Sequence, residues 1–328
     1  MTGVRCARLI AGVFLSAALL AGCAHRPPLP TVDSTRLPPR AELADTPFFP
    51  QARYQCGPAA LATVLSARGV DIGPDALVAE VYVPAREGSL QLEMIAAARR
   101  QGMLAVAIEP SLEALLVAVA DGQPVLVLQN LGLGWLPRWH YAVAIGYDLE
   151  RQQLILRSGT DARRVTPFRV FMNTWDRSKR WGIVVLAPED PPAWVRPGAW
   201  LTAASALEAL AKWPQAHSAY RAATERWPDD PIAWLGFGNT ALAQGEHTAA
   251  ELAYRRGLQI EPGSAAAWNN LGYALAARRC PRSARDAAEC AGRLAPGDAA
   301  IRQTLDELPQ TSTADPERCQ PLPACPAP

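Results

Sequence analysis

Cys56 stands where a thiol can become a nucleophile. Upstream, Pro47-Phe48-Phe49-Pro50 is barred from helical geometry, whereas Ala59 to Arg68 (AALATVLSAR) reads as helix and Pro58 suits a first helical turn. Cys56 therefore falls at a helix start, where unpaired backbone N–H groups favour an anion and should depress the thiol pKa. Gln51, five positions earlier, could aim a side-chain amide at an oxyanion forming beside the sulfur, with Gln55 as the fallback donor. Between the N-terminal segment and His217 the chain has a single histidine, His140. It lies in Trp139-His140-Tyr141-Ala142-Val143-Ala144-Ile145-Gly146-Tyr147-Asp148, a strand-like apolar run. A thiol on a helix tip and an imidazole on a later strand are the pair that acyl transfer through a covalent intermediate needs.

The motif Q-x4-C-G-P-A-A followed roughly eighty residues on by H-Y-A-V-A-I-G-Y-D resembles the papain-like bacteriocin-processing peptidases, which remove leader peptides after a double glycine. The resemblance covers about residues 45–188 and implies an α+β papain-like cysteine peptidase domain acting on a peptide or protein substrate. It makes Cys56 the nucleophile, His140 its base and Gln51 part of the oxyanion hole. In that family an Asp or Asn on the next strand orients the histidine. Here Ser158-Gly159 stands where Asp-Pro is usual, so Ser158 would accept the imidazole N–H without offering it a charge. Asp161 is the other candidate: a hairpin folded about Leu149 sets Ser158 across from His140, and one folded between Glu150 and Arg151 sets Asp161 there. The motif position favours Ser158. The loss of the carboxylate also admits an alternative, a peptidase-like fold that holds peptides without cleaving them.

The elements that must position these groups follow from pattern. Helices are expected at 76–81, at 89–101 with Ser89 as cap, and at 111–121; strands at 103–108, 124–129, 154–157 and 182–186; and a helix or strand at 168–175. Gly132 to Trp139 reads as an aromatic loop just ahead of His140. Four prolines in Pro188 to Pro197 mark a boundary, giving a linker over 189–198.

Beyond it a repeat takes over. Trp200, Trp234 and Trp268 are 34 residues apart, as are Ala216, Ala250 and Ala284, and Pro228, Pro262 and Pro296. Trp234-x2-Phe237-Gly238 and Trp268-x2-Leu271-Gly272 resemble the tetratricopeptide (TPR) signature, so residues 199–308 are expected to form an all-α TPR solenoid of three repeats with a surface for a protein partner. The first copy departs from pattern with Ala203-Ala204, as a terminal cap or a docking face would.

Residues 1–22 resemble a bacterial lipoprotein signal: Arg5 and Arg8, an apolar Leu9–Ala21, then Leu20-Ala21-Gly22-Cys23. The resemblance implies lipidation of Cys23 and, since Ala24 rather than Asp follows, a membrane-anchored outer-membrane lipoprotein facing the periplasm. Residues 23–44 are proline-rich and read as a tether, and 309–328 as a disordered tail. Of seven cysteines, Cys6 leaves with the signal and Cys23 carries lipid. Cys280, Cys290, Cys319 and Cys325 then suit two disulfides, in any of three pairings, with Cys56 as the reactive thiol. A net charge of +1 over 328 residues gives no nucleic-acid signal, and no cofactor is expected, for want of zinc-ligand spacing or a phosphate loop.

Overall fold

The computed structural model describes residues 33, 37–51, 55–309 and 314–327. The expected signal (1–22), Cys23 and residues 24–32 and 34–36 of the expected tether lie outside the described residues. The described chain from Leu37 onward belongs to one compact unit, an α+β domain followed by a run of helices.

The domain begins with β1 (Arg40–Glu42) and α1 (Cys56–Ser66). Every residue from Gly57 to Leu65 is buried, as the unbroken run of small and apolar residues requires. After α2 (Pro74–Val81) come a short hairpin, β2 (Tyr82–Val83) and β3 (Gly88–Ser89), and then α3 (Gln91–Arg100). The helix expected from Ser89 therefore starts later: Leu90 holds the N-cap position with no side-chain bond, and Ser89 is committed to pairing with Tyr82. β4 (Leu104–Ala107), α4 (Leu112–Ala120), β5 (Val125–Asn130), β6 (Trp139–Asp148), β7 (Gln153–Ser158), β8 (Asp161–Pro167), α5 (Phe168–Asp176) and β9 (Gly182–Leu186) complete it. Ser111 caps α4 by accepting from the Ala114 N–H at 3.1 Å.

The sheet is antiparallel, ordered β4-β9-β5-β6-β7-β8, with β1 paired to the far end of β6. Alternation along β6 sends Tyr141, Val143 and Ile145 into a core shared with Leu61, Val64 and Leu65 of α1, Leu77 of α2 and Met94 of α3. Strand β1 corrects the expected tether over 23–44, because residues 40–42 pair with Asp148, Tyr147 and Gly146. The reason lies in β6, which runs past its partner β5 and leaves backbone groups that β1 and the Leu43 N–H (2.7 Å to Ile145 O) satisfy. A side chain at Gly146 would meet Ala41 O at 2.7 Å, so glycine lets β1 come this close.

The helical part stacks α6 (Pro197–Ala209) with α7 (Trp213–Arg226), α8 (Pro231–Ala243) with α9 (His247–Ile260) and α10 (Ala265–Ala277) with α11 (Pro281–Leu294), and α12 (Ala299–Glu307) covers the end. The periodic residues do what the spacing requires: Ala216, Ala250 and Ala284 are buried where helices touch, and the Tyr220 and Tyr254 rings fill the space left by Gly236 and Gly238. Helix α6, which carries Ala203 and Ala204, packs against β4 and α3, so the irregular first repeat is a docking face. The junction is tied by Trp194 Nε1, which donates to Asp121 Oδ2 at 2.9 Å, and by the ion pair of Arg196 with Glu109.

The tail expected to be disordered over 309–328 is held over its described residues, 314–327. Disulfides join Cys280 to Cys319 and Cys290 to Cys325. Asp315 accepts from the Arg282 and Ser283 N–H groups at 2.8 and 2.9 Å, capping α11 from outside the helix. Arg255 donates to Pro321 O and Gln320 O while pairing with buried Glu251. Polar composition suggests disorder when read alone, but two covalent closures remove that freedom. Reducing both disulfides should lower stability by several kcal/mol, since each closes a loop of 39 or 35 residues worth about 3 to 4 kcal/mol in chain entropy. Urea unfolding monitored by circular dichroism with and without reductant checks this.

Candidate active site

The first turn of α1 is pressed against β3 and β6. A Cβ on Gly57 would lie 2.2 Å from Ser89 Oγ and 2.5 Å from Ser89 Cβ, a clash that rotating the hydroxyl cannot relieve. Pro58, still among the first N–H groups that have no intrahelical acceptor, costs no hydrogen bond. Tyr141 OH donates to Ser89 O at 3.2 Å, tying the hairpin to β6 on the other side. Cys56 is thereby held half-buried, with the backbone N–H of Tyr141 against its sulfur, one residue from His140.

Cys56, His140 and Gln51 line one cavity of about 1060 Å³, whose walls come from residues 86–91, 137–141 and 177–179. Gln51 is fixed by its own N–H, which donates to Gly159 O at 3.1 Å, and its side-chain Nε2 donates to Tyr141 O at 3.4 Å. A primary amide has two N–H bonds, so one remains for the cavity. Gln55 is the N-cap residue of α1 and is not among the residues lining the cavity. Residues 52–54 lie outside the described residues.

The imidazole partner is decided by β-sheet register. Ser158 Oγ lies 2.9 Å from His140 Nε2, and Ser158 is only 3% exposed. Asp161 pairs with Ser158 across the tight turn into β8 and is solvent-exposed, away from this contact. The hairpin is centred between Glu150 and Arg151, since Asp148 pairs with Gln153, but the register shift in β6 between Ala144 and Gly146 moves the later pairs by one residue and puts Ser158 on His140's side of the sheet, while the tight turn after Ser158 carries Asp161 into β8. Neither hairpin count includes this shift. With Nε2 engaged by Ser158, Nδ1 is the ring nitrogen left for a thiol, and the tautomer that serves a base carries its proton on Nε2 and donates it to Ser158 Oγ.

The electrostatics depart from the expectation of a depressed thiol pKa. Burial pushes the Cys56 thiol up from its ordinary value; the backbone N–H groups of Tyr141, Gly57 and Cys56 oppose this without cancelling it. Burial also pushes His140 down to about 4, helped by Arg164 and Arg138. The resting pair at neutral pH is therefore thiol and neutral imidazole. A helix N-terminus favours a thiolate only when it outweighs the loss of water, and no carboxylate offsets that loss here.

Sequence reasoning missed the Tyr141 N–H, a backbone group with no signature of its own, and Ser89, whose buried Oγ has no hydrogen-bond partner. The Q-x4-C-G-P pattern did hint at a close approach through its glycine.

Two outcomes test this geometry. Gly57→Ala should cost about 2 kcal/mol by overpacking, read from urea denaturation midpoints, and should slow Cys56 alkylation. Ser158→Asp places a carboxylate beside the imidazole, which favours imidazolium and, through it, thiolate. The iodoacetamide rate at Cys56, which rises only toward alkaline pH in the parent, should then shift to lower pH.

Residues 43–183 match the Peptidase_C39 like family, and residues 201–265 match the tetratricopeptide repeat. Among solved structures, a C39-like peptidase from Bacillus anthracis is 19% identical with a TM-score of 0.39, covering 45% of this chain and 97% of that one. The Sgt2 TPR domain from Aspergillus fumigatus is 20% identical (TM-score 0.33; 37% of this chain, 79% of that one), and the Arabidopsis OM64 TPR domain 15% (TM-score 0.33; 34% and 93%). No curated protein matches the chain. Cys56 at the start of α1, His140 on β6 and most of the antiparallel sheet therefore lie within the region that matches the Peptidase_C39 like family, and the helices that follow include the region that matches the tetratricopeptide repeat.

Proposed function

We propose that the protein is a cysteine peptidase whose repeats recruit a protein substrate or partner. The observation that carries the reading is that Cys56 and His140 open into one cavity, with the imidazole held by Ser158 at 2.9 Å. In this reading His140 takes the proton from Cys56 as the sulfur attacks the substrate carbonyl, because the thiol is neutral at rest. The oxyanion is received by the free N–H of the Gln51 amide and by backbone N–H at the start of α1. Collapse of the tetrahedral intermediate expels the amine with the proton from His140, and water then hydrolyses the thioester. Ser158 holds the ring without charge, so the imidazolium that forms is less stabilised than beside a carboxylate, and turnover is slow.

The proposal extends to the N-terminus: the segment ending Leu20-Ala21-Gly22-Cys23 would place a lipid on Cys23 and the domain in the periplasm, on the outer membrane. Among the described residues no helix is long and apolar enough to cross a membrane. The neutral hydroxyl at position 158 favours a second reading, in which the cavity retains peptides without cleaving them and the chain is a binding scaffold.

A neutral thiol probe separates the two. Catalysis predicts labelling at Cys56 that falls about a hundredfold or more in His140→Ala, the lower end of what a positioned general base supplies, with an acyl-enzyme seen by intact mass. Labelling indifferent to His140, with no acyl adduct from any envelope peptide, leaves the scaffold reading. Ser158→Ala should lower kcat/KM by about tenfold, the equivalent of one lost hydrogen bond of roughly 1.4 kcal/mol.

A further inference from the structure

The chain is nearly neutral overall, yet the charges around the candidate site are unbalanced. Arg86, Arg138, Arg177 and Lys179 line the cavity, and Glu87 is the single carboxylate among its lining residues. None of these four cations joins an ion pair among the described residues, although such pairs are common elsewhere on the surface, as with Arg40–Glu150, Arg100–Glu80 and Arg163–Glu42. Arg177 is fixed instead by carbonyls, donating to Gly132 O at 2.6 Å and Asn130 O at 3.4 Å, which hold the guanidinium in place and leave its charge unmatched. The cations come from three separate segments: the turn after β2, the loop before β6 and the loop after α5. Folding alone brings them to one mouth. Of these, Arg138 lies near enough to act on His140, as does Arg164 of β8 outside the lining.

We infer that the cavity selects an acidic peptide segment, with carboxylate side chains flanking the bond presented to Cys56. This rests on the reading of the cavity as a peptidase site and adds the substrate's charge. Carboxylates near the scissile bond meet the cations Arg86, Arg138, Arg177 and Lys179 of the lining, while the exposed Trp139 and Leu90 of the same lining offer apolar contact to neighbouring residues. A basic segment is repelled by the same field. Because the cations are exposed, the preference is carried by long-range attraction and fades as salt shortens its range.

The test uses the full chain with two readouts. On the Cys56→Ala protein, dansyl-Gly-Glu-Glu and dansyl-Gly-Lys-Lys are titrated by fluorescence. On the parent, the rates of anionic sulfonatoethyl and cationic trimethylammonioethyl methanethiosulfonate at Cys56 are compared with their rates on 2-mercaptoethanol, and labelling that persists in Cys56→Ala is subtracted. The acidic peptide should bind about tenfold more tightly, and the anionic reagent should gain about tenfold over the cationic one, both advantages shrinking at 1 M NaCl and in Arg86→Gln/Lys179→Gln. Equal binding of the two peptides, or a preference unchanged in that variant, overturns the inference. If Cys56 reacts with neither reagent, nor with neutral methyl methanethiosulfonate, the nucleophile reading is lost, and the peptide titration alone decides the charge preference.

Discussion

The first turn of α1 approaches β3 and β6 so closely that position 57 has no room for a Cβ, and the rest of the candidate site is a consequence of that contact. It brings the Cys56 sulfur against the Tyr141 N–H, next to the residue that carries the imidazole, and it removes water from both. Three backbone donors are not enough to offset the lost hydration, so burial wins at both groups and the pair rests uncharged. The same packing that aligns the groups thus opposes their ionisation.

Ser158 is the second half of this balance. A carboxylate in its place would stabilise the imidazolium, but a buried hydroxyl can only orient the ring. Orientation fixes the tautomer and leaves Nδ1 for the thiol, which preserves the geometry of general-base chemistry at a reduced driving force. Cationic groups around the mouth act in the same direction, disfavouring imidazolium while favouring an incoming anion. An acidic substrate would supply some of the negative charge that position 158 lacks.

The repeats are not an independent appendage. Helix α6 rests on β4 and α3, the Trp194 and Arg196 contacts close the junction, and the last repeat is finished by α12 and by the twice-bridged tail. Each end of a solenoid exposes a face that an internal repeat would cover. Here one end is covered by the α+β domain and the other by a helix and a covalently held segment whose Asp315 completes a helix cap.

Local pattern made much of this legible. The 34-residue period, the start of α1 at Cys56 and the strand carrying His140 are all set by nearest-neighbour propensities and by the periodicity of apolar residues, which act over a few positions and can be read in one dimension. Long-range register could not be read that way. A one-residue register shift in β6 and the tight turn into β8 decided that Ser158 and not Asp161 meets His140; the unpaired end of β6 recruited residues 40–42 from an apparent tether; and the proximity of α11 to the tail chose one disulfide pairing of three. The direction of the Cys56 and His140 pKa shifts belonged to tertiary structure as well, because desolvation depends on everything packed around a group and not on its neighbours in the chain.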